Sequence, residues 1–458
     1  MNTPIVDYVK KYNESDNVRA HMPGHKGAAY LGFEGYDITE IKRADSLYFA
    51  DGIIAESEEN ADRLFGSAGT YYSTEGSSQC IKAMLFLALS DYENREGRRP
   101  YIVAARNVHT SFIHAAALLD LDVKWIFPDV KDMNICSCLF DKKTLSDILD
   151  NAAYPPVGVY VTSPDYLGNV MDIEGLAEIC HEHGTKLLVD NAHGAYLRFL
   201  DKSLYPDYSH PLEKGADICC DSAHKTLPVL TGGAYLHISE RCSHLKDNAK
   251  YALSLFGSTS PSYLILQSLD LCNAYIDGDY RTTLKEFCHE MDELKERLKE
   301  KGWRLIKSDP MKLTLEAPDG LTGSLLLDKL EESAVSCEYA DDEYLVMMLS
   351  CSNSKEDINK VEEALDKCVS GKINYSEDPD SISDYEDAYP AIAAMSVREA
   401  VFGNHQRIKA EDAVGRICAA SLVACPPAIP IAVPGEIISP AFIKLFKRYN
   451  ISYVDVIS

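Results

Sequence analysis

Lys225 and Asp190 are the residues of this 458-residue chain whose types and placement speak most directly of chemistry. Asp190 ends an apolar run, Leu187-Leu-Val-Asp190, and Lys225 closes Ser222-Ala-His-Lys225 directly after a second such run, Ile218-Cys-Cys-Asp221. Charges of opposite sign where buried strands stop are what a pyridoxal phosphate (PLP) site needs. The lysine carries the cofactor as a Schiff base, and the acid keeps its pyridine nitrogen protonated. Taken singly neither residue decides, since an aspartate after a strand also forms turns or caps helices and a lone lysine is commonly a solvated charge. The pair gains weight from Ser222 and His224, which are able to donate hydrogen bonds to a phosphate, and from Thr231-Gly-Gly233 ahead of the strand-like run Ala234-Tyr-Leu-His-Ile238.

Other polar clusters also follow or precede apolar runs. Glu75-Gly-Ser-Ser-Gln79 stands before a helical run from Ile81 to Leu89. Gly76, Ser77 and Ser78 would there leave backbone N–H groups free for an anion at the positive end of the helix dipole, or simply cap it. Arg106-Asn-Val-His109-Thr-Ser111 follows Tyr101-Ile-Val-Ala-Ala105. Thr162-Ser163-Pro-Asp-Tyr166-Leu-Gly168 also ends a strand-like run, where proline and glycine equally shape a turn. Gly257-Ser258-Thr259-Ser-Pro-Ser262 reads as a polar turn.

These residues must be positioned by strands alternating with helices. From about 31 to 280, the runs YIVAA, VKWIFP, VGVYVTS, KLLVDN and DICCDS are separated by helical segments such as Ile173 to His183. That alternation predicts an α/β fold with a mainly parallel sheet covered on both faces. In such sheets ligands gather at the carboxyl ends of strands, where Asp190 and Lys225 fall. Residues 1 to about 30 form a polar lead-in, and 31–280 a large domain. A smaller α+β domain spans 281–370, with a helix from Tyr280 to Lys301, strands near Trp303 to Ile306 and Lys312 to Glu316, and a helix ending near Cys368. An acidic linker, 371–390, is too polar to build a core. The C-terminal segment, 391–458, carries helices at Ser396 to Phe402 and Lys409 to Leu422 and the proline-rich stretch ending at Glu436.

Composition narrows the partners. A formal charge of −26 argues against nucleic acid and anionic membranes. No signal peptide is visible at the start, and Pro426, Pro427, Pro430 and Pro434 break the longest weakly polar stretch, so no spanning helix is expected. Fourteen cysteines without an export signal point to reduced thiols in a cytoplasmic protein. Their spacing forms no paired Cys-x-x-Cys framework, so no structural metal is expected.

Taken in order, the motifs resemble the group III ornithine, lysine and arginine decarboxylases, fold-type I (aspartate aminotransferase-like) PLP enzymes whose Schiff-base lysine sits in Ser-x-His-Lys. The resemblance covers roughly His21 to Asp270 and Met395 to Ile438. It implies that Gly76, Ser77 and Ser78 bind the cofactor phosphate with Ser222 and His224, that His109 stacks on the pyridine ring, and that Ser163 and Tyr166 lie close by. Asp190 holds the ring nitrogen, Lys225 forms the link, and His193 orients the substrate carboxyl group or donates a proton. By the same resemblance, Ser258 and Thr259 are expected to reach across a dimer interface toward the neighbour's phosphate, which would make the homodimer's sites composite. Glu436, in a Pro-Gly-Glu end like the family's, approaches the cationic end of the substrate.

Three positions depart from relatives. Thr110 replaces a frequent lysine, Ala420 a usual glutamate and Ala428 a usual glycine, and the last two changes are expected to alter specificity. The chain starts almost at Pro23-Gly-His-Lys26, so the receiver-like N-terminal domain of longer members is expected to be missing. The implied activity is PLP-dependent α-decarboxylation of arginine, lysine or ornithine to CO2 and an amine for polyamine biosynthesis. An aminotransferase or β-eliminating lyase would share Lys225 and Asp190. A catalytically weak regulatory homologue is the third reading, against which the joint presence of Asp190, His224 and Lys225 counts.

Overall fold

Each apolar run named above becomes a strand, and in Tyr101–Ala105, Leu187–Asp190, Ile218–Asp221 and Ala234–Ile238 four or five consecutive residues are buried, as in a sheet covered on both faces. A computed structural model describes residues 1–93, 97–128, 134–369, 371–375, 385–421 and 426–458. Residues 376–384 of the expected acidic linker, Leu422 of the expected last helix and Cys425 of the proline-rich stretch lie outside them. The chain forms two units, Met1–Glu93 with Ile173–Thr283, and Asn94–Asp172 with Leu284–Ser458.

In the first unit the strands are β1 (Gly69–Ser73), β5 (Leu187–Asp190), β6 (Ile218–Asp221) and β7 (Ala234–Ile238), in the order β1-β7-β6-β5. The β5–β6 pair is parallel and sets Asp190 opposite Cys220, so the two strands stop together. β7 runs antiparallel to both β6 and β1. The unit's helices are α1 (Pro4–Asn13), α2 (Ile53–Phe65), α3 (Ser77–Ser90), α6 (Ile173–Glu182), α7 (Ala223–Thr226), α8 (Lys246–Ser254) and α9 (Tyr263–Asp277). Residues from Gln79 to Ala88 bury most faces of α3, which packs on α8, β6 and β7. A helix apolar nearly all round is stable only inside a core, and this one aims its first turn at the end of β6.

In the second unit β2 (Tyr101–Ala105) pairs in parallel with β3 (Asp122–Ile126) and β4 (Val159–Thr162), in the order β4-β2-β3. β8 (Lys312–Glu316), β9 (Tyr339–Ala340) and β10 (Tyr344–Met348) make an antiparallel sheet, and β11 (His405–Lys409) pairs with β12 (Tyr453–Ile457). Its helices are α4 (Thr110–Leu119), α5 (Lys142–Asp150), α11 (Gly323–Glu332), α12 (Lys355–Cys368), α13 (Val397–Phe402) and α14 (Pro440–Arg448), while α10 (Tyr280–Glu300) carries the chain in from the first unit. The class is α/β with a large, mainly parallel sheet.

Four local expectations are corrected. The polar lead-in contains α1, whose Ile5, Val6 and Val9 are buried. The Asp270 carboxylate accepts the Ile5 and Val6 N–H groups, each at 3.0 Å, which satisfies two amides that the start of a helix leaves open. Among the described residues 409–421, the helix expected from Lys409 to Leu422 does not form beyond the short turn Ala410–Asp412. Gly415 takes a φ of +79°, and the chain after it pairs instead, Ile417 with Ile437 and Cys418 with Val456. The strand at 303–306 shrinks to a bridge at Leu305. Finally, Tyr385 and Ala388 of the acidic linker lie in the second unit's core, with the Tyr385 hydroxyl 2.6 Å from that of Tyr449.

Candidate active site

The first unit gathers the residues singled out around Lys225. β6 ends at Asp221, and Ser222 then opens the single turn α7, which lifts Lys225 beyond the strand end. The Lys225 Nζ lies 3.0 Å from His193 Nε2. His193 is buried and follows Asp190 by three residues, as a short turn closes through the bond from Gly194 N–H to Asn191 O (2.8 Å). Asp190 is 2 % exposed, and its Oδ1 accepts the Ala192 N–H at 3.1 Å. His224 Nδ1 donates to the Gly233 carbonyl at 3.0 Å, which ties α7 to the loop before β7.

An anion cradle forms beside them. Gly76 precedes α3 with a φ of +74°, a conformation that favours glycine, and a Cβ there would stand 4.0 Å from Ser78 N. The first amides of a helix have no intrahelical acceptor and carry the positive end of its dipole. Ser222 Oγ donates to Ser77 Oγ at 2.8 Å, so hydroxyls from two elements converge at the start of α3. Backbone amides, two hydroxyls and a lysine amine are a donor set suited to a phosphate and an aldehyde carbon, and the buried Asp190 carboxylate suits a protonated ring nitrogen. The residues present fit PLP. Gly257 brings the Ser258–Thr259 loop against the same helix: a Cβ on it would meet Gln79 Nε2 at 2.0 Å and Tyr48 OH at 2.2 Å. Ser258 and Thr259 themselves are exposed, and Ser258 Oγ accepts the Ser260 N–H.

The second unit holds His109, Ser163 and Glu436. His109 is the N-cap of α4, its Nδ1 accepting the Ser111 N–H at 3.1 Å, so the ring is held by the helix it starts. Ser163 is buried and accepts the Met171 N–H at 3.0 Å, while the Tyr166 hydroxyl donates to Glu338 at 2.5 Å. Glu436, expected to approach the cationic end of the substrate, is 3 % exposed and already paired within the fold. Its Oε2 lies 3.3 Å from Arg106 Nη2 and accepts the Val433 N–H at 2.7 Å. Burial lifts the Glu436 carboxyl above its ordinary value, against the pull of Arg106. Burial likewise opposes the Arg106 charge, but the neighbouring Glu436 outweighs it and raises that group, a guanidinium that does not deprotonate.

Two groups escaped the sequence reading although the signal that found Asp190 and Lys225 applied to them. Arg106 and Asp221 are also charges where strands stop. Asp221 is fully buried, with His210 Nε2 and His237 Nε2 at 3.0 and 3.1 Å from its Oδ2 and Asn191 Nδ2 donating to Oδ1 at 2.6 Å. Burial would raise its carboxyl, but the two imidazoles outweigh burial and hold it well below the usual carboxylate range. His210, Cys219 and Asp221 bring potential ligand atoms within 4.8 Å of one another. Because Asp221 spends both oxygens on hydrogen bonds, the cluster is a network that pins the residue before Ser222 to the residue after Asp190.

Comparison with known proteins places this geometry. A family model described as "Orn/Lys/Arg decarboxylase, major domain" matches residues 3–308, and that of the "Orn/Lys/Arg decarboxylase, C-terminal domain" matches 383–451. The chain is 28% identical to the arginine decarboxylase of Bacillus subtilis (strain 168) over 482 residues, covering 99% of this chain and 93% of that one. It is 26% identical to the uncharacterized protein YaaO of the same organism, over 98% of this chain and 94% of that protein. The crystal structure of the Francisella novicida lysine decarboxylase LdcF superposes with a TM-score of 0.77 at 18% identity, covering 100% of this chain and 81% of that one, a likeness of fold. Matched by the family's major-domain model over two thirds of its length, the chain belongs to the Orn/Lys/Arg decarboxylase family of PLP-dependent lyases and is an amino acid decarboxylase.

Proposed function

We propose that the protein is a cytoplasmic homodimer that binds PLP and removes the α-carboxyl group of a basic amino acid, arginine, lysine or ornithine, for polyamine biosynthesis. The observation that carries this reading is the convergence, in one unit, of Lys225 Nζ on His193 Nε2 and of Ser222 on Ser77 at the start of α3. PLP supplies a ring that accepts the electron pair left when a bond at the substrate α-carbon breaks. Lys225 offers the amine for the covalent link and, after release, a proton donor at the α-carbon. Asp190 keeps the ring nitrogen protonated, and its burial prevents water from competing for that proton. The first amides of α3, with Ser77, Ser78 and Ser222, hold the phosphate. His193 stands within reach of the Lys225 amine and holds or passes a proton there. His224 fixes the turn that carries Lys225, and His109, with Ser163 and Tyr166, would be the second unit's residues beside the bound ring.

The substrate class follows the names of the relatives and the acidic surface, which attracts cations. The test is amine and CO2 formation from arginine, lysine and ornithine in parallel, with norleucine as the neutral control. We expect at least a tenfold preference for one basic substrate over norleucine, as a single charge-assisted hydrogen bond of about 1.5–3 kcal/mol provides. Lys225→Ala should abolish turnover and the visible absorbance of the linked cofactor while leaving the fold intact. Equal turnover of norleucine, or a borohydride-trappable cofactor in Lys225→Ala, would refute the substrate class or the linking residue respectively.

A further inference from the structure

Arg106 stands one residue beyond β2 and is 5 % exposed. Its guanidinium reaches three acceptors of one short segment: Nη1 donates to Pro430 O at 2.9 Å, and Nη2 donates to Ile431 O at 2.8 Å and to Glu436 Oε2 at 3.3 Å. The guanidinium carbon also sits 5.3 Å from the ring centroid of Trp125 and 5.0 Å from that of Tyr389. Tyr389 in turn donates its hydroxyl to Ile431 O at 2.6 Å. Four residues along from Arg106, Thr110 N–H donates to Ala428 O at 2.9 Å. His109 therefore lies between two tethers to the same stretch, 428–436. A planar fork with fixed donors serves three acceptors at once, and a lysine ammonium on a flexible stem does not reproduce that geometry. The cost of burying the charge is offset by Glu436, which Val433 N–H holds in place.

We propose that Arg106 is a positioning residue. Its guanidinium, with Glu436 as counter-ion, clamps segment 428–436 to the end of β2 and so holds His109 in the orientation it needs. The inference rests on the reading of His109 as the residue stacked on the cofactor ring. It gives Glu436 a first duty toward Arg106, ahead of any toward substrate.

The test compares Arg106→Met, Arg106→Lys, Glu436→Gln and His109→Ala as holoenzymes, by visible circular dichroism of the bound cofactor and by amide hydrogen exchange of peptides 107–111 and 428–436. Arg106→Met is expected to bring the dichroism to the level of His109→Ala and to speed exchange of both peptides at least tenfold. Arg106→Lys should recover less than half of either signal, and adding Arg106→Met to His109→Ala should not lower the dichroism further. Wild-type dichroism in Arg106→Met, or faster exchange confined to 428–436, would overturn the clamp's action on His109. Wild-type dichroism in His109→Ala would instead remove the stacking reading, and exchange at 107–111 would still decide the clamp. If Arg106→Met does not fold, Arg106→Lys and Glu436→Gln carry the same comparison.

Discussion

At the scale of single residues, charges stand at the last position of a buried strand or up to four positions past it, in each of the two units. Asp190, Arg106, Asp221 and Lys225 share that placement, and the partner each finds decides what it does. Asp221 is consumed by two imidazoles and Arg106 by Glu436, whereas Lys225 keeps its amine beside His193. Ala428 shows how one side chain strains the same region. Its φ is +57°, which costs an L-residue about 1–2 kcal/mol, and its carbonyl accepts the Thr110 N–H. Ala428→Gly should relieve that strain, less the roughly 0.5–1 kcal/mol that glycine loses in chain entropy. The expected outcome is a gain of about 0.5–1 kcal/mol, read as a higher midpoint in urea unfolding with an unchanged slope. A lower midpoint would show that the alanine methyl is worth more in packing than its backbone costs.

At the scale of elements, docking of α1 depends on one carboxylate from α9. Asp270 accepts the Ile5 and Val6 amides and the Ser57 hydroxyl (2.6 Å). Burial pushes its carboxyl up from 3.8 to about 6, and those hydrogen bonds offset burial only in part. A folded value above the unfolded one means that this group's contribution is greatest when it is protonated. That contribution is present in acid and is lost as pH rises from about 4 through about 6. The difference in stability between the wild type and Asp270→Asn should therefore shrink by up to about 3 kcal/mol over that window and stay flat above it. Thermal unfolding from pH 4.5 to 7.5 measures this, and a gap that widens with pH would reverse the sign of the shift. Asp270→Ala, which removes the acceptor altogether, should in addition speed amide exchange in α1 more than in α3.

At the scale of the whole molecule, the proposed homodimer has a physical motive within the first unit. Tyr30, Leu31 and Phe49 are 80 %, 76 % and 82 % exposed, large apolar side chains that a second copy would remove from water. Ser258 and Thr259 are likewise exposed, on a loop braced against α3 by Gly257. If these hydroxyls serve the partner's phosphate, a heterodimer of Lys225→Ala with a Ser258→Ala/Thr259→Ala chain contains one intact site. Mixing the two inactive proteins under subunit exchange should then restore up to about a quarter of wild-type turnover, since half the dimers are mixed and each has one good site of two. No recovery despite demonstrated exchange would place each site within one chain. Among the described residues, no helix is long and apolar enough to cross a membrane.

The strands and the strand-end chemistry were legible in the amino-acid sequence because both are local. Runs such as Leu187–Asp190 and Ile218–Asp221 are apolar without interruption, and a charge that ends such a run announces itself by contrast. Helices with good caps were legible for the same reason, as with α13, whose Ser396 cap and Glu399 form a reciprocal box. What only the tertiary structure decided was pairing between distant segments. Residues 409–421 have helical periodicity, yet the hydrogen bonds that 435–438 and β12 offer to 415–419 outweigh that weak preference, and Gly415 turns the chain toward them. Tyr385 and α1 look polar by neighbourhood but are buried by partners 64 and 265 residues away. Glu436 is the sharpest case. Its place in a Pro-Gly-Glu end like the family's suggested a cationic substrate, and the cation it meets in the fold is Arg106, 330 positions earlier, because a buried carboxylate takes the nearest fixed counter-ion that the fold brings to it.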